Sequence, residues 1–215
     1  MDAAFWNDRF AAADLVYGEE PNAFVAEVAP HIPAGPVLCL AEGEGRNAVH
    51  LATLGHPVTA VDQSEVGLAK ARRLADSHGV EITTVAADLG DYEITAGAWA
   101  GIIATFAHLP PALRRRIHRD ATAGLMPGGV FILEAYTPAQ LAFGTGGPKA
   151  PELLMTLAEL REELSGLQFE IARELERDVT EGTGHSGRGA IVQILARRPS
   201  VSALPTEVAR PRPSQ

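Results

Sequence analysis

The feature that most constrains the fold is an alternation of two sequence patterns between residues 37 and 134. Short β-branched runs bounded by glycine or proline alternate with longer stretches whose apolar residues recur three and four positions apart. These periods are typical of buried strands and of amphipathic helices. The alternation predicts βαβ units, and therefore a parallel sheet with helices on both faces. The predicted strands of this block are residues 36–41, 57–61, 80–86, 99–105 and 129–135.

Helix boundary signals lie between these strands. Gly55 and Gly79 stand where a helix C-terminus favours a left-handed residue, and Ser64 stands where a hydroxyl can cap a helix N-terminus. Pro110 predicts the start of a helix that Gly124 ends.

Residues outside this block complete the predicted domain. Residues 2–14 and 21–29 predict two short amphipathic helices, and residues 152–164 predict a third helix after the block. Strands are predicted at 168–179 and 189–196, on either side of a glycine-rich segment. Because strand, glycine loop and strand form a hairpin, we expect the sheet to end with an antiparallel strand.

Charge and cysteine content exclude several classes of function. The 215-residue chain has 18 Lys+Arg against 27 Asp+Glu, a net charge of −9, which argues against a nucleic-acid partner because phosphate binding needs clustered cations. Cys39 is the one cysteine, so no intramolecular disulfide can form, and we expect it to be a small buried hydrophobe. The histidines show no metal-binding spacing, so no metal is predicted. The N-terminus lacks a signal-peptide pattern and no apolar run reaches a membrane span, so we expect a cytoplasmic protein without a membrane partner.

A glycine-rich turn follows the first predicted strand and opens a helix. Residues 41–48 read AEGEGRNA, and Gly43 and Gly45 let the chain turn tightly and let a ligand lie on exposed backbone N–H groups. The same residues satisfy the G-x-G-x-x-A pattern of dinucleotide-binding loops. From this loop alone, NAD and S-adenosylmethionine both remain open as cofactors.

Acidic residues end the next two predicted strands. Asp62 ends the second, where it can accept hydrogen bonds from ribose hydroxyls, and Asp88 ends the third, where a carboxylate can meet an adenine amino group. An acid after strand two serves any adenosine cofactor. A second acid after strand three, with LMPGG at residues 125–129 and a closing hairpin, is the arrangement of class I methyltransferases.

The loop with its preceding strand, VLCLAEGEGRNA at 37–48, and four further stretches support that class: FAHLP at 106–110, LEAY at 133–136, TGGP at 145–148 and HSG at 185–187. Through them, residues 1–198 resemble small bacterial methyltransferases related to the tellurite-resistance and thiopurine methyltransferases. The resemblance implies a doubly wound, Rossmann-like α/β fold with seven strands in the order 3-2-1-4-5-7-6. It also implies S-adenosyl-L-methionine as cofactor, lying over the carboxyl ends of strands one to four, and a small-molecule methyl acceptor.

We therefore expect one methyltransferase domain over residues 1–198, as a monomer or homodimer. Residues 1–30 would form a helical lid, 36–135 the cofactor-binding core and 165–198 the hairpin. The tail at 199–215, with four prolines, is predicted to be flexible.

The loop departs from the pattern D-x-G-x-G-x-G that many class I enzymes carry. Aligning the last two glycines with Gly43 and Gly45 puts Cys39 at the acidic position and Ala41 at the first glycine. The acid that would bind the cofactor's ammonium group is therefore displaced. Glu42 is the nearest substitute and Glu44 the second.

The predicted cofactor contacts come from this loop, the strand ends and the N-terminal segment. Trp6 and Tyr17 could exclude water around the methyl group, or alternatively anchor helices on the sheet. Arg46 could bind the cofactor carboxylate or an oxyanion substrate. The predicted set is Trp6, Tyr17, Glu42, Gly43, Glu44, Gly45, Arg46, Asn47, Asp62, Gln63, Asp88, Leu89 and Thr105.

Four residues are candidates for catalysis. His108 follows strand four and could act as base, donor or stacking surface, or merely cap the next helix. His185 and Arg188 could bind the acceptor from the hairpin loop or belong to a solvated turn, and Tyr136 could face the same rim or only pack. A thiolate, selenide or tellurium oxyanion needs no base, whereas an alcohol or amine acceptor does.

Two alternative functions remain at this point. A nicotinamide-dependent oxidoreductase would need a second mononucleotide-binding half, which the closing hairpin contradicts. A non-catalytic S-adenosylmethionine-binding protein would have a blocked acceptor pocket. The basic run RRRIHR at residues 114–119 suggests phosphate binding, but on a helix it spreads around the circumference, and we expect a solvated outer face.

Overall fold

Seven strands form one mixed sheet in the computed structural model, which describes residues 2–182 and 185–200. The strands are β1 Val37–Leu40, β2 Val58–Asp62, β3 Thr83–Ala86, β4 Trp99–Thr105, β5 Leu125–Tyr136, β6 Gln168–Glu181 and β7 His185–Arg197. Their order is β3-β2-β1-β4-β5-β7-β6. The first five strands run parallel, and β7 is antiparallel to both β5 and β6. The predicted doubly wound α/β fold and its strand order are confirmed.

Six α-helices accompany the strands in the described part of the chain. They are α1 Ala3–Arg9, α2 Ala23–Val28, α3 Arg46–Thr53, α4 Glu65–Ser77, α5 Pro111–Gly124 and α6 Leu157–Glu163. Three short 3-10 helices occupy Ala29–His31, Pro138–Ala142 and Pro151–Leu153.

Helices cover both faces of the sheet. On one face Phe24 of α2 and Leu51 of α3 are buried against β1, β2 and β4. On the other face Ile117 of α5 and Leu160 of α6 are buried against β4, β5 and β7. Each fully buried side chain of this size contributes about 1.5–3 kcal/mol of hydrophobic stabilisation. Cys39 lies in the first of these cores with no exposed surface, which confirms that it is a buried hydrophobe.

The predicted helix boundary signals around α3, α4 and α5 are confirmed. Ser64 Oγ accepts a hydrogen bond from Gly67 N at 3.0 Å at the start of α4. Gly55 and Gly79, which follow α3 and α4, have φ of +91° and +67°. The helix that follows Pro110 ends at Gly124.

Three predicted elements are shorter than expected. The first helix ends at Arg9 rather than continuing to residue 14, because Phe10 turns inward and is buried. The predicted helix at 152–164 is a 3-10 turn followed by α6, which starts at a capping box formed by Thr156 and Glu159. Strand β3 covers only Thr83–Ala86, and as an edge strand it is half-exposed rather than buried on both faces.

The expectation of a solvated face for residues 114–119 is wrong for two members. Arg114 and His118 are buried against Glu163 of α6. Arg114 Nη2 donates to Glu163 Oε1 at 2.8 Å, and His118 Nδ1 lies 2.6 Å from Oε2. Although burial opposes it, the hydrogen bonds from His118 and Arg114 hold the pKa of Glu163 below its usual range. This cluster fixes α6 on α5, and it depends on a partner 45 positions away that helical spacing does not reveal.

Candidate active site

A cavity of about 530 Å³ lies at the carboxyl ends of the parallel strands. Residues directly after β1, β2, β3 and β4 line it, and Trp6 of α1 together with Tyr17 lines its opposite side. In an open α/β sheet, this edge at the reversal of strand order is the expected ligand site. Here the order reverses between β1 and β4.

The turn after β1 is held by a hydrogen bond to the carboxylate of Asp62, at the end of β2. Asp62 Oδ2 accepts from Gly43 N at 2.8 Å, and Asp62 Oδ1 accepts from Ser64 N at 2.8 Å. Burial raises the pKa of Asp62, while these backbone N–H groups oppose the rise. Asp62 therefore fixes the glycine turn and at the same time lines the cavity.

Both glycines of the turn are required by their surroundings. Gly43 has φ +61°, and a Cβ there would come within 3.1 Å of the Phe10 ring. A Cβ on Gly45 would lie 2.4 Å from the Ala71 Cβ of α4. Gly43 thus leaves room beside the cavity, whereas Gly45 does not line the cavity but lets α3 and α4 pack closely.

The two candidate partners for an ammonium group are separated by the structure. Glu42 lines the cavity, and its Oε1 accepts from Asn47 N and Ala48 N at 2.9 and 2.8 Å at the start of α3. Burial raises the pKa of Glu42 to about 7, although those N–H groups and Arg46 oppose the rise.

Glu44 instead points away from the cavity. Its carboxylate accepts from Lys70 Nζ at 2.8 Å and from Val16 N at 2.8 Å, and the side chain is buried. The prediction that Glu44 contacts the cofactor is corrected on that ground. Its carboxylate ties the N-terminal segment to α4.

Further predicted residues follow β2, β3 and β4 around the cavity. Gln63, Asp88 and Leu89 line it, and the exposed Asp88 accepts from Gly90 N at 2.6 Å through Oδ1. Thr105 also lines it and accepts from Asn47 Nδ2 at 2.9 Å through Oγ1.

Arg46 lines the cavity as part of a buried ion pair. Its Nη2 donates to Glu181 Oε2 at 2.5 Å, and its Nη1 lies 3.5 Å from the Tyr17 carbonyl oxygen. Glu181 is the last residue of β6 and comes from the tip of the closing hairpin. The hairpin tip therefore contacts the start of α3, directly after the glycine turn, a relation that local sequence patterns do not reveal.

Aromatic residues of the N-terminal segment form the opposite wall. Trp6 stacks on the buried Phe10 with ring centroids 5.6 Å apart. Arg9 Nε donates to the Tyr17 hydroxyl at 3.1 Å, and burial raises the pKa of Tyr17. Both predicted residues, Trp6 and Tyr17, thus lie at the cavity, and Arg9 and Phe10 join them although they were not in the predicted cofactor set.

Of the four predicted catalytic residues, the structure brings one to the cavity. His108 lines it, and its Nδ1 lies 2.9 Å from the Leu153 carbonyl oxygen, so Nδ1 carries a proton. Its ring stacks on Tyr136 with centroids 5.8 Å apart and an interplanar angle of 9°.

Two of the others lie elsewhere, and the side chain of the third is not described. Tyr136 is buried behind His108 and does not line the cavity, so the expectation of a rim position is corrected. Burial raises the pKa of its hydroxyl well above the usual range. Arg188 is exposed, pairs with Glu176 at 3.2 Å and does not line the cavity either. The side chain of His185 lies outside the described part of the structure, as do residues 201–215 of the predicted tail.

The remaining wall of the cavity was not predicted as part of the site. It is apolar and comes from the loop between β4 and α5, from the start of α5 and from the segment between β5 and α6: Phe106, Leu109, Pro110, Leu113, Pro148 and Leu153. Its one early signal was the pair of motifs at residues 106–110 and 145–148.

The site fits an adenosyl cofactor with an amino-acid tail. Crossing the sheet edge from β3 to β1, a ligand meets Asp88, then Asp62, then Glu42 and Arg46. Such a row offers acceptors for an amino group and for sugar hydroxyls, followed by one acid and one guanidinium for a zwitterion. The turn at Gly43 leaves the space that a side chain would fill.

A seven-stranded sheet in this order, with its cavity at the carboxyl ends of the strands, is the class I methyltransferase fold. Residues 37–129 match the methyltransferase domain family, somewhat less than half of the chain. Residues 37–129 thus carry a methyltransferase domain, and an S-adenosylmethionine-dependent methyltransferase of known structure shares the fold of the chain.

Solved structures agree with this assignment of the fold. A protein studied for the conversion of a disulfide bond into a thioacetal group during echinomycin biosynthesis is 23% identical with a TM-score of 0.72, over 94% of this chain and 91% of that chain. TehB from Haemophilus influenzae is 21% identical with a TM-score of 0.67, over 91% and 66%. An S-adenosylmethionine-dependent methyltransferase from Clostridium acetobutylicum is 14% identical with a TM-score of 0.61, over 93% of each chain. No curated protein sequence matches the chain.

Two findings concern the predicted absences. Across residues 2–182 and 185–200, no helix has the length and apolar character to cross a membrane. The same residues contain no group of three or more His, Cys, Asp or Glu placed to hold a metal ion. The cytoplasmic location and the oligomeric state remain predictions.

Proposed function

We propose that the protein transfers a methyl group from S-adenosylmethionine to a small-molecule acceptor with a soft sulfur, selenium or tellurium nucleophile. The observation that carries the proposal is one continuous cavity at the carboxyl ends of β1 to β4, which is lined by charged side chains at one end and by apolar side chains at the other. We call Glu42, Arg46, Asp62 and Asp88 the cofactor end. Phe106, His108, Leu113 and Leu153 form the acceptor end.

At the cofactor end, each side chain has a role in holding the cofactor. Asp88 would bind the adenine amino group and Asp62 the ribose hydroxyls, while Glu42 and Arg46 would bind the ammonium and carboxylate groups of the tail. When bound, S-adenosylmethionine supplies an activated methyl group. The aromatic wall of Trp6, Phe10 and Tyr17 would exclude water from it, as the predicted lid requires.

The acceptor end supports a soft nucleophile because it is poor in bases. The carboxylates that line the described cavity lie at the cofactor end, and the apolar wall opposite carries one imidazole, His108. The Nδ1 of His108 donates to the Leu153 carbonyl oxygen at 2.9 Å. An amine or alcohol would need a base for its proton, whereas a thiolate or selenide would not. We assign His108 the shaping of this wall.

Two further observations support the proposal. One structural neighbour was studied for the conversion of a disulfide bond into a thioacetal group, and the sequence resembles the tellurite-resistance group. The antiparallel hairpin of β6 and β7 stands where a nicotinamide enzyme would have a second nucleotide-binding half. The cavity continues from the cofactor end to Leu113 and Leu153, rather than ending in the plug that a non-catalytic binding protein would show.

Two measurements test the proposal. Calorimetry with S-adenosylmethionine, S-adenosylhomocysteine and NAD should show binding of the first two, and tight NAD binding without them would exclude a methyltransferase. A screen of thiols, selenite, tellurite, halides and small amines should release S-adenosylhomocysteine with at least one sulfur, selenium or tellurium compound. Turnover with amines alone would contradict the acceptor class.

A further inference from the structure

The closing hairpin contributes a buried polar network next to the cofactor end. Glu134 of β5 and Glu181 of β6 are both buried, and both accept from Arg177 Nη2, at 2.5 and 3.0 Å. Both also accept from Asn22 Nδ2 at 2.9 Å. The two carboxylates therefore share two partners, yet Glu181 alone of the pair contacts Arg46.

Arg46 lines the cavity in the orientation in which it contacts Glu181. Its guanidinium has five N–H donors in one plane, and the contacts to Glu181 Oε2 and to the Tyr17 carbonyl oxygen use two of them. A planar fork with two of its edges engaged presents the remaining donors in a fixed direction. Since Arg46 lines the cavity beside Glu42, that direction includes the place of the cofactor's amino-acid tail.

We propose that Glu181 is a positioning residue that fixes Arg46 for recognition of the carboxylate on the amino-acid tail of the cofactor. The inference rests on the proposed function, because it concerns the same site. Glu181 acts through Arg46 and does not itself line the cavity. The second carboxylate oxygen of Glu181 pairs with Arg177. The network of two arginines and two glutamates, Arg46, Arg177, Glu134 and Glu181, therefore carries no net charge before a ligand binds.

Charge balance with the cofactor supports this arrangement. S-adenosylmethionine has a zwitterionic tail and one additional positive charge, and an ionised Glu42 compensates that charge. The neutral network can then donate hydrogen bonds to the carboxylate without leaving an unpaired buried charge, which would be costly. The hairpin tip would thus contribute to cofactor selection from the far end of the sequence.

The test compares two probes that share a nucleoside and differ in the tail. S-adenosylhomocysteine carries the amino-acid tail, and methylthioadenosine lacks it. We expect Glu181→Gln to weaken S-adenosylhomocysteine by about tenfold or more and methylthioadenosine by less than about twofold, since one charge-assisted hydrogen bond is at stake. Equal weakening of both probes, or no weakening of either, would overturn the proposal.

Glu134→Gln is the matched control. It removes a carboxylate from the same network, with the same partners Arg177 and Asn22 but without contact to Arg46. The affinity ratio of the two probes should stay as in the wild type. A ratio that changes as much as in Glu181→Gln would mean that the whole network, rather than Glu181, sets the tail site.

A double variant keeps the test decisive if general stability changes. If Glu181 acts through Arg46, adding Glu181→Gln to Arg46→Gln should change the probe ratio no further. Additive losses would overturn the positioning role. If Glu181→Gln does not fold, Arg46→Lys takes its place, because an ammonium keeps the charge but lacks the planar fork of the guanidinium. Arg46→Lys should again weaken the binding of S-adenosylhomocysteine more than that of methylthioadenosine. Equal weakening of both probes would contradict the proposal. A wild type that binds neither probe would refute the proposed function itself, whereas binding of methylthioadenosine alone would refute only the tail site.

Discussion

The two ends of the cavity are held in place by different interactions. At the cofactor end, backbone N–H groups fix the carboxylates, as Gly43 N and Ser64 N do for Asp62 and Asn47 N does for Glu42. At the acceptor end, apolar side chains such as Leu113 form most of the wall, and His108 adds ring packing on Tyr136 and one hydrogen bond to a backbone carbonyl oxygen. Hydrogen bonds to fixed backbone groups specify direction, whereas apolar packing specifies mainly volume. The cofactor end should therefore be sensitive to single polar changes and the acceptor end more tolerant.

The largest effect is expected at Asp62. Asp62→Ala removes the proposed acceptor for the ribose hydroxyls and also the group that holds Gly43 N and Ser64 N. Loss of a charge-assisted hydrogen bond of about 1.5–3 kcal/mol should weaken S-adenosylhomocysteine binding by about 10- to 150-fold in calorimetry. Asp91→Ala, an exposed acid in the turn after Asp88, is the control and should bind as the wild type. An unchanged affinity in Asp62→Ala would show that the nucleoside lies elsewhere.

A smaller effect is expected at the acceptor end. His108→Ala removes the contact to the Leu153 carbonyl oxygen and the stack on Tyr136, so the wall should loosen and turnover should fall by about tenfold. Direct proton transfer would be worth roughly 100-fold or more. Steady-state kinetics with the best acceptor measures the loss, and the dissociation constant of S-adenosylhomocysteine should change by less than about twofold. If the variant turned over as fast as the wild type, His108 would have no role in shaping the acceptor end.

The pH dependence of cofactor binding tests Glu42. Its pKa in the cofactor-free protein is raised to about 7 by burial, and an ammonium group binds the ionised form. Below that pH a proton must leave on binding, so affinity should fall as pH falls. Between pH 7.5 and 6 the ionised fraction, and with it the affinity, decreases about eightfold for a pKa of about 7.

Glu42→Gln should bind more weakly at pH 7.5 and lose this pH dependence, and calorimetry in two buffers should show proton release at pH 6 for the wild type alone. An affinity that rises on acidification would contradict the assignment of the ammonium site to Glu42. The same conclusion would follow if Glu42→Gln had the same pH dependence of binding as the wild type.

The same contrast explains what the sequence could predict. The strand order and the loop, with Asp62, Asp88 and Glu42, followed from short-range signals: residues at strand ends, a glycine turn and a family resemblance. The apolar wall and Glu181 could not be read in this way, because Leu153 and Glu181 reach the cavity region through packing between distant segments. Arg114 and His118 show the same limit, since their partner Glu163 lies on another helix. Glu44 was misplaced because Glu42 and Glu44, two positions apart in one tight turn, point in different directions.

The smallest effect concerns the backbone at the two ends. Ala41 after β1 and Phe106 after β4 have φ of +50° and +51°, although a left-handed conformation costs a residue with a Cβ about 1–2 kcal/mol. Phe106 offsets that cost by packing its ring on Tyr136, with centroids 4.8 Å apart. Ala41 has only a methyl group, so its removal would cost little packing energy. Glycine removes the strain at a chain-entropy cost of about 0.5–1 kcal/mol, so Ala41→Gly should leave the free energy of unfolding in urea unchanged or raise it by up to about 1 kcal/mol. Ala52→Gly in α3 is the control and should lower it by about 1 kcal/mol, as glycine does within helices. If Ala41→Gly were as destabilising as that control, the left-handed conformation of Ala41 would not strain the turn after β1.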